Sequence, residues 1–220
     1  MDRISLLSDD LLLKILSFAP TKVSVTTSLL SKRWRDLWKH VPKLDYFPDN
    51  DTEHLRASSF VHNFLLLHKA PVLETLHLWL RNCRPTDIET WIRVAIGRGV
   101  RHIKFNQSST SLGPIRWPRS LYTCKTLVTL TLIYTSNVDV PLAMCFRSLK
   151  TFYLTLIEWI GYKGTEAEKN LVMYLLENCG QLKTMAIRPL NSINLEERHK
   201  MLQEISFTRR SSSKCQVSFT

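Results

Sequence analysis

The sequence predicts a mixed α/β protein in which a short helical N-terminal unit precedes a curved parallel sheet of strand–helix repeats, with a helix and a strand at the C-terminus. Three observations support this prediction. Apolar residues recur at helical spacing in the first forty positions, one aliphatic strand pattern occurs five times, and capped helices separate its copies. With 44% hydrophobic and 22% charged residues over 220 positions, the chain can form a substantial core.

The N-terminal unit is predicted to contain three short helices. Asp9 and Asp10 place acidic side chains in the first turn of a helix that ends before Pro20. Thr21 is a candidate cap for the second helix, and Ser31 is a candidate cap for the third. The apolar side of the third helix would carry Trp34, Leu37 and Trp38. Because about forty residues cannot bury this much apolar surface alone, we expect a partner to cover it.

The strand pattern consists of an aliphatic residue, two variable residues, an apolar residue, one variable residue and another apolar residue. Its copies are Leu73-Leu76-Leu78, Val100-Ile103-Phe105, Leu127-Leu130-Leu132, Leu149-Phe152-Leu154 and Leu182-Met185-Ile187. They begin 27, 27, 22 and 33 residues apart, near the period of about 20 to 29 residues that leucine-rich repeats show. Right-handed crossovers favour parallel neighbours in chain order, so Leu76 should pair with Ile103 and Ile103 with Leu130.

The alternative is an α+β domain with five unrelated strands. It remains open because the Asn or Cys that usually follows the third aliphatic position of a leucine-rich repeat is absent from every copy. The helices between the strands are well marked in either case. Capping boxes are predicted for Thr86 with Glu89 and for Thr165 with Glu168, and Pro71 closes the helix that precedes the first strand.

The N-terminal forty residues resemble an F-box. The resemblance rests on Asp9-Asp10-Leu11-Leu12, Ile15-Leu16-Ser17-Phe18 and the specific run Ser31-Lys32-Arg33-Trp34-Arg35. Near the other end, Met201-Leu202-Gln203-Glu204-Ile205 and Cys215-Gln216-Val217-Ser218-Phe219 are similar to the end of an FBD segment.

The whole chain resembles a shortened member of the plant F-box/FBD/LRR-repeat family. The resemblance divides it into an F-box over residues 1–45, leucine-rich repeats over 53–157 and an FBD segment over 158–220. The interval of 33 residues before Leu182 would mark a junction at which repeats were lost.

The family resemblance implies a substrate-receptor subunit of a Skp/cullin/F-box ubiquitin ligase, without catalytic residues, metal or cofactor. The F-box would bind a Skp-type adaptor and, through it, a cullin, while the repeats would hold an unidentified protein substrate. The expected adaptor-binding residues are Leu7, Ser8, Leu11, Ile15, Leu16, Leu30, Trp34 and Leu37. Ser8 stands where the F-box pattern usually has proline. A serine can still cap the helix, but the rigid contact of a proline with the adaptor would be lost.

Residues between the aliphatic strand positions should face the open side of the sheet, because side chains alternate along a strand. The candidates for substrate contact on this face are His77, Trp79, His102, Lys104, Thr129, Thr131, Tyr153 and Arg188. A solvated sheet surface that binds nothing is the alternative.

A basic segment offers a second function. No acidic residue lies between Glu89 and Asp139, and the formal net charge of the chain is +11. The basic residues of this interval are Arg93, Arg98, Arg101, Lys104, Arg116, Arg119 and Lys125. Residues 90–138 could therefore form a nucleic-acid or phospho-ligand binding module. No nucleic-acid recognition motif accompanies them, so we rank an acidic or phosphorylated protein ligand above nucleic acid, and a solvated basic surface above both.

Other function classes lose support from composition. Six glycines leave no phosphate-binding loop, and no apolar run is long enough to span a membrane. The acidic N-terminus lacks a secretory signal, so we expect an intracellular protein of the nucleus, the cytoplasm or both. Five cysteines without a Cys-x-x-Cys pair predict buried thiols at Cys83, Cys124, Cys145, Cys179 and Cys215.

Overall fold

The computed structural model describes residues 4–81, 83–107, 115–116, 118–122, 124–133, 138–139, 156–180 and 182–219. The α-helices of these residues are α1 (Asp9–Phe18), α2 (Thr21–Thr26), α3 (Asp51–Leu67), α4 (Pro85–Gly97), α5 (Arg119–Tyr122), α6 (Glu166–Asn178) and α7 (Leu195–Ser206). The strands are β1 (Lys43–Tyr46), β2 (Thr75–Leu80), β3 (His102–Gln107), β4 (Ile115–Arg116), β5 (Thr129–Ile133), β6 (Val138–Asp139), β7 (Leu156–Tyr162), β8 (Thr184–Pro189) and β9 (Gln216–Phe219). Short 3-10 helices span Ile4–Leu6, Thr27–Leu29 and Leu37–His40.

A seven-stranded sheet in the order β1-β2-β3-β5-β7-β8-β9 is the centre of the fold, and every neighbouring pair in it is parallel. The predicted pairings are confirmed, because Leu76 lies opposite Ile103 and Ile103 opposite Leu130. A separate parallel pair joins β4 to β6. The strands therefore follow one another in chain order across the main sheet.

One face of this sheet forms the core with a layer of helices. Leu76, Ile103 and Met185 are buried on neighbouring strands, as the alternation of the strand pattern predicts. They belong to the same apolar cluster as Val61 of α3 and Trp91 of α4. The opposite face carries the intervening side chains, of which His77, Trp79 and Arg188 are at least partly exposed.

The fourth predicted strand requires a correction. Its pattern, Leu149-Phe152-Leu154, lies outside the described residues, and the strand between β5 and β8 is β7, in which Ile157 lies opposite both Leu130 and Met185. In the sequence the matching pattern is Leu154-Ile157-Trp159. The copies starting at Leu73, Val100, Leu127, Leu154 and Leu182 are then 27, 27, 27 and 28 residues apart. The interval of 33 residues that suggested a junction before Leu182 is therefore not present in this register, and β7 pairs on both sides. The loss of repeats stays a prediction.

The first strand of the sheet was missed by the sequence prediction. β1 follows the same pattern as the others, with Val41, Leu44 and Tyr46 at the three apolar positions, all of them buried. Leu44 lies opposite Leu76 and continues the apolar row. The repeat thus begins inside the segment that resembles an F-box.

The N-terminal unit differs from the predicted three helices. Helix α1 is capped by Ser8, as expected, but the Thr21 hydroxyl accepts a bond from the Asp45 N–H instead of capping α2. The predicted third helix is a series of turns followed by a 3-10 helix. Trp34 bonds to the carbonyl of Ser31, and Leu37 to the carbonyl of Trp34. Because positions three apart lie above one another in such turns, both apolar side chains face inward.

Of the two predicted capping boxes, one is present. Thr165 and Glu168 exchange both bonds at the start of α6. The prediction for Thr86 and Glu89 is wrong, because α4 already begins at Pro85 and its cap position, Arg84, makes no side-chain cap bond. Proline favours the first helical turn because its fixed φ suits the helix and no N–H is needed there.

The cysteine prediction is confirmed for the described thiols. Cys83, Cys124, Cys179 and Cys215 are free and buried, whereas Cys145 lies outside the described residues. In the described part of the chain, no cluster of three or more His, Cys, Asp or Glu side chains could hold a metal ion. No helix there has the length and hydrophobicity needed to cross a bilayer.

Candidate functional site

Helix α1 is apolar on two sides. Leu12 and Leu16, four residues apart, are buried on one side. Leu11 and Ile15 are each 48% exposed on another side, and Phe18, three residues further on, is 80% exposed. A helix that only covers its own core needs one apolar stripe, so the second stripe has no partner in the N-terminal unit itself.

The buried stripe belongs to a small core. Leu12 and Leu16 pack with Trp34, Leu37 and Val41 in a cluster separate from the main core. Three of the expected adaptor contacts, Leu16, Trp34 and Leu37, are therefore largely buried within the unit in this conformation. Their predicted helical spacing did not reveal that this side faces inward, and their role in adaptor binding stays a prediction.

The N-terminal unit exposes more apolar residues than the sequence predicted as adaptor contacts. Of the expected contacts, Leu11, Ile15 and Leu30 are exposed, Leu7 is half-buried and Ser8 is exposed. The N-terminal apolar surface consists of Ile4, Leu6, Leu11, Ile15, Phe18, Val23, Leu29 and Leu30. Five of these were missed, although Phe18 could have been found from its spacing of seven and three residues from Leu11 and Ile15.

The open face of the sheet brings several predicted substrate contacts together over β1, β2 and β3. His77 Nδ1 lies 3.6 Å from a carboxylate oxygen of Asp45 on the neighbouring strand, and Lys104 lies opposite His77 on the other side. The ring of Trp79 stands edge-on to that of Phe47, with centroids 5.9 Å apart. This part of the sheet offers both charged groups and exposed aromatic surface.

His102 and Thr129 continue the open face toward β5. A ring nitrogen of His102 lies 3.0 Å from the hydroxyl of Thr129. Burial lowers the pKa of His102, and the nearby positive charge of Arg101 lowers it further, so this ring is predominantly neutral at pH 7. At the other end of the sheet, Arg188 is exposed.

The centre of the same face is not accessible. Thr131, an expected substrate contact, is only 7% exposed, and the neighbouring Asn106 and Ile133 are buried as well. Thr131 is therefore largely buried in this structure, and its role in substrate contact stays a prediction. Tyr153 lies outside the described residues. Strand alternation identifies the side a residue faces, but it cannot show what covers that side.

The basic residues of 90–138 do not form one surface among the side chains that the structure describes. Arg98 points inward, where its guanidinium donates to the carbonyl oxygen of Leu65 at 3.1 Å. Arg93 pairs with Glu89 on the same helix. Arg101 and Lys125 are exposed, while the side chains of Arg116 and Arg119 lie outside the description. No convergent phosphate-binding group is visible in the described portion of this segment.

Comparison with known families assigns two segments of the chain. The F-box domain family matches residues 4–46, which include α1 and its two apolar stripes, and the FBD family matches residues 147–187. The chain carries an F-box and an FBD domain.

Similar proteins of Arabidopsis thaliana have the same domains in their names. A protein named for an FBD-associated F-box is 57% identical over 191 residues, which cover 85% of this chain and 43% of that relative. A second FBD-associated F-box protein is 46% identical over 78% of this chain and 41% of its own length. An F-box/FBD/LRR-repeat protein is 43% identical over 78% of this chain and 38% of its own length. The match spans less than half of these three relatives.

The start of the F-box helix α1 is held by side chains. The Ser8 hydroxyl accepts a bond from the Leu11 N–H at 3.5 Å, and the backbone of Ser8 has a φ of −65°. Arg33 forms an ion pair with Asp9 at 2.7 Å and donates to the carbonyl oxygen of Leu7. These bonds join the start of α1 to the segment of turns that carries Arg33.

Direct hydrogen bonds and ion pairs join the F-box to the sheet. The bond from the Asp45 N–H to the Thr21 hydroxyl is 2.8 Å long and ties β1 to α2. Lys22 of α2 pairs with Asp49 at 3.1 Å and with Glu53 of α3. The helices of the F-box therefore pack against β1, which is both the last part of the F-box and the first strand of the sheet.

A second connection is centred on His68, which follows α3. Its Nε2 lies 2.8 Å from the carbonyl oxygen of Val41, and its Nδ1 lies 2.9 Å from Nη1 of Arg98. A carbonyl can only accept and a guanidinium can only donate, so the proton is on Nε2 and the ring is neutral. Burial lowers the pKa of His68, and the charge of Arg98 lowers it further. This His68 clamp joins the end of the F-box to α3 and α4.

Proposed function

We propose that the chain is a substrate-receptor subunit of a Skp/cullin/F-box ubiquitin ligase and has no catalytic activity of its own. The observation that carries this proposal is the exposed stripe of Leu11, Ile15 and Phe18, on a helix whose other stripe already fills the F-box core. Large exposed apolar surfaces of this kind are typical of protein interfaces. The partner would be a Skp-type adaptor, which would connect the receptor to a cullin.

The sheet would present the substrate. We interpret its regular parallel strands as a short leucine-rich-repeat solenoid, and its open face at His77, Trp79, His102, Lys104 and Thr129 as the substrate-binding surface. Aromatic and charged groups side by side suit a protein ligand better than an apolar small molecule. Arg188, on the same face near the other end, would extend the surface. The receptor would act in the nucleus, the cytoplasm or both.

The contacts between F-box and sheet support this arrangement. The Thr21–Asp45 bond, the Lys22 ion pairs and the His68 clamp would hold the substrate face at a fixed orientation to the adaptor. A receptor must place its substrate within reach of the ubiquitin-carrying enzyme, so a fixed orientation serves that role.

The adaptor surface can be tested with one charged substitution. Ile15→Asp places a carboxylate in the exposed stripe without removing a core side chain. Truncation of a hot-spot residue at an interface costs at least about 2 kcal/mol, or roughly thirtyfold in affinity, and a buried charge costs more. We expect Ile15→Asp to weaken binding of a plant Skp-type adaptor at least that much in isothermal titration calorimetry.

Leu55→Asp is the matched control, because Leu55 is an exposed leucine on α3, outside the F-box. This variant should bind the adaptor like the unmodified chain. Equal affinities of Ile15→Asp and Leu55→Asp, or no binding by the unmodified chain, would contradict the proposal. Trp34→Ala cannot serve as the test, since Trp34 is buried in the F-box core and its loss would unfold the domain.

A further inference from the structure

The open face of the sheet carries one uncompensated positive charge next to the F-box. His77 of β2 lies between Asp45 of β1 and Lys104 of β3 in one row across the strands. The Asp45 carboxylate is already flanked, because the Lys43 ammonium lies 3.6 Å from one oxygen and His77 Nδ1 lies 3.6 Å from the other. Lys104 forms no ion pair with any residue that the structure describes. The half-buried Lys104 can therefore pair with a carboxylate from outside the chain.

An exposed aromatic surface lies beside Lys104. Trp79 faces the same side of β2 as the residue opposite Lys104, and it is 38% exposed. Its ring stands edge-on to that of Phe47. Phe47 also lines a groove of about 390 Å³ together with Val23 of α2, which is 50% exposed. The apolar surface therefore continues from the F-box helices onto the open face of the sheet.

The distance between Trp79 and Lys104 sets the spacing that a ligand needs. Trp79 lies opposite Asn106, and Lys104 is two residues before Asn106 on the same strand. With about 4.8 Å between strands and about 3.3 Å per residue, the Cα atoms of Trp79 and Lys104 are about 8 Å apart. In an extended segment, side chains two positions apart point to the same side and are about 6.6 Å apart. An apolar residue and a carboxylate at such positions would reach both groups at once.

We propose that Phe47, Trp79 and Lys104, here called the Trp79–Lys104 surface, bind an extended segment of the substrate in which a large apolar residue and a carboxylate stand two positions apart. The inference rests on the proposed receptor function and adds the chemistry of the substrate. The apolar side chain would lie on the two aromatic rings, and the carboxylate would pair with the Lys104 ammonium. Charge complementarity favours this partner over a second copy of the chain, because each copy carries a net charge of +11.

The probe is a short fluorescein-labelled peptide of serine and threonine that contains one phenylalanine and, two positions later, one glutamate. It is titrated with the full chain and followed by fluorescence polarisation. A second peptide has lysine in place of the glutamate. A third has the glutamate directly after the phenylalanine, where it points to the other side. We expect the first peptide to bind roughly tenfold more tightly than the other two. Equal binding of the first peptide and either comparison peptide, or no binding of the first, would overturn the proposal.

Charge reversal at Lys104 locates the carboxylate. Lys104→Glu should invert the preference, so that the lysine peptide binds roughly tenfold more tightly than the glutamate peptide. Lys125→Glu, a reversal at an exposed lysine outside the strands, should leave the preference unchanged. Circular dichroism shows whether each variant folds. If Lys104→Glu does not fold, Lys104→Met keeps the unbranched stem and should abolish the preference. An unchanged preference in the folded Lys104 variant would overturn the assignment.

Replacement of the ring locates the apolar contact. Trp79→Thr keeps a residue that strands favour but removes the aromatic surface, and it should weaken the glutamate peptide roughly tenfold. Unchanged affinity would overturn the role of Trp79.

Two further measurements separate the other occupants. A phosphoserine peptide that binds more than tenfold more tightly than the glutamate peptide would assign the surface to phosphorylated segments and overturn the carboxylate. Self-association of the unmodified chain in sedimentation velocity, abolished by Trp79→Thr, would assign the surface to a second copy. Adaptor affinity is measured in parallel by calorimetry. Peptide binding without adaptor binding would contradict the receptor function alone, and adaptor binding without peptide binding would overturn this inference alone.

Discussion

Replacing Arg98 by methionine tests the His68 clamp. Methionine keeps an unbranched side chain but removes the guanidinium, which bonds His68 Nδ1 at 2.9 Å and the Leu65 carbonyl at 3.1 Å. A hydrogen bond to a charged group contributes about 1.5 to 3 kcal/mol, and water can replace part of it at this half-buried position. We therefore expect the free energy of unfolding to fall by about 2 to 4 kcal/mol. For a protein of this size, that corresponds to a Tm lower by roughly 4 to 16 °C.

The matched control is Arg93→Met in α4, the helix that ends immediately before Arg98. Arg93 is exposed and pairs with Glu89 four residues earlier, a contact that contributes only about 0.3 to 0.5 kcal/mol. Urea unfolding followed by circular dichroism at pH 7.5 compares the two variants. If Arg98→Met is no less stable than Arg93→Met, the clamp does not stabilise the junction between F-box and sheet.

The clamp also has a pH dependence with a definite sign. In the folded chain the pKa of His68 lies below its ordinary value of 6.5, so the unfolded chain binds more protons in this range. The contribution of His68 to stability is therefore complete above pH 6.5 and is lost as the pH falls below it. In Arg98→Met the pKa is lowered by burial without the nearby charge, so the acid-induced loss should be smaller than in the unmodified chain.

Two further predictions concern single side chains. Ser8→Pro should leave Tm within about 3 °C, because the φ of −65° suits proline and the lost cap bond, about 1 kcal/mol, is offset by a stiffer unfolded chain. Its affinity for the Skp-type adaptor in calorimetry should rise, and a fall would contradict the proline contact that F-box resemblance implies. Burial raises the pKa of Glu168 above its ordinary 4.5, so the unmodified chain should lose stability as the pH rises through and above that value. Glu168→Gln cannot ionise and should show a flatter urea-midpoint profile from pH 4.5 to 7; an unchanged slope would assign the dependence to other groups.

The sheet could be predicted from the sequence because the strand pattern has strict alternation and a regular period. The pairings of Leu76 with Ile103 and of Ile103 with Leu130 needed only that period and the preference for right-handed crossovers. The fourth strand was misplaced by five residues, since the pattern fits at both Leu149 and Leu154. Only pairing with the strands on either side distinguishes these two registers.

The candidate site was less predictable, because it depends on which apolar residues remain exposed. Leu11, Ile15 and Leu16 have the same chemical character in the sequence, yet the first two are exposed and the third is buried. The buried leucine can be told apart from the two exposed residues only when the position of Trp34 is known. Trp34 lies in a segment of turns and packs with Leu16 in the same cluster. Arg98 is a similar case, since its charge indicated a binding surface and its bonds show a structural role.

The bond between Thr21 and the Asp45 N–H limits where this chain can be cut into separate domains. Because α2 covers the outer side of β1, removing the F-box helices would expose the outer edge of β1, and exposed edge strands promote aggregation. Replacing the F-box by that of another protein would also remove Lys22 from Asp49 and Glu53. The two domains are therefore not interchangeable modules, and domain-swap experiments on this chain should retain residues 20 to 54 as one block.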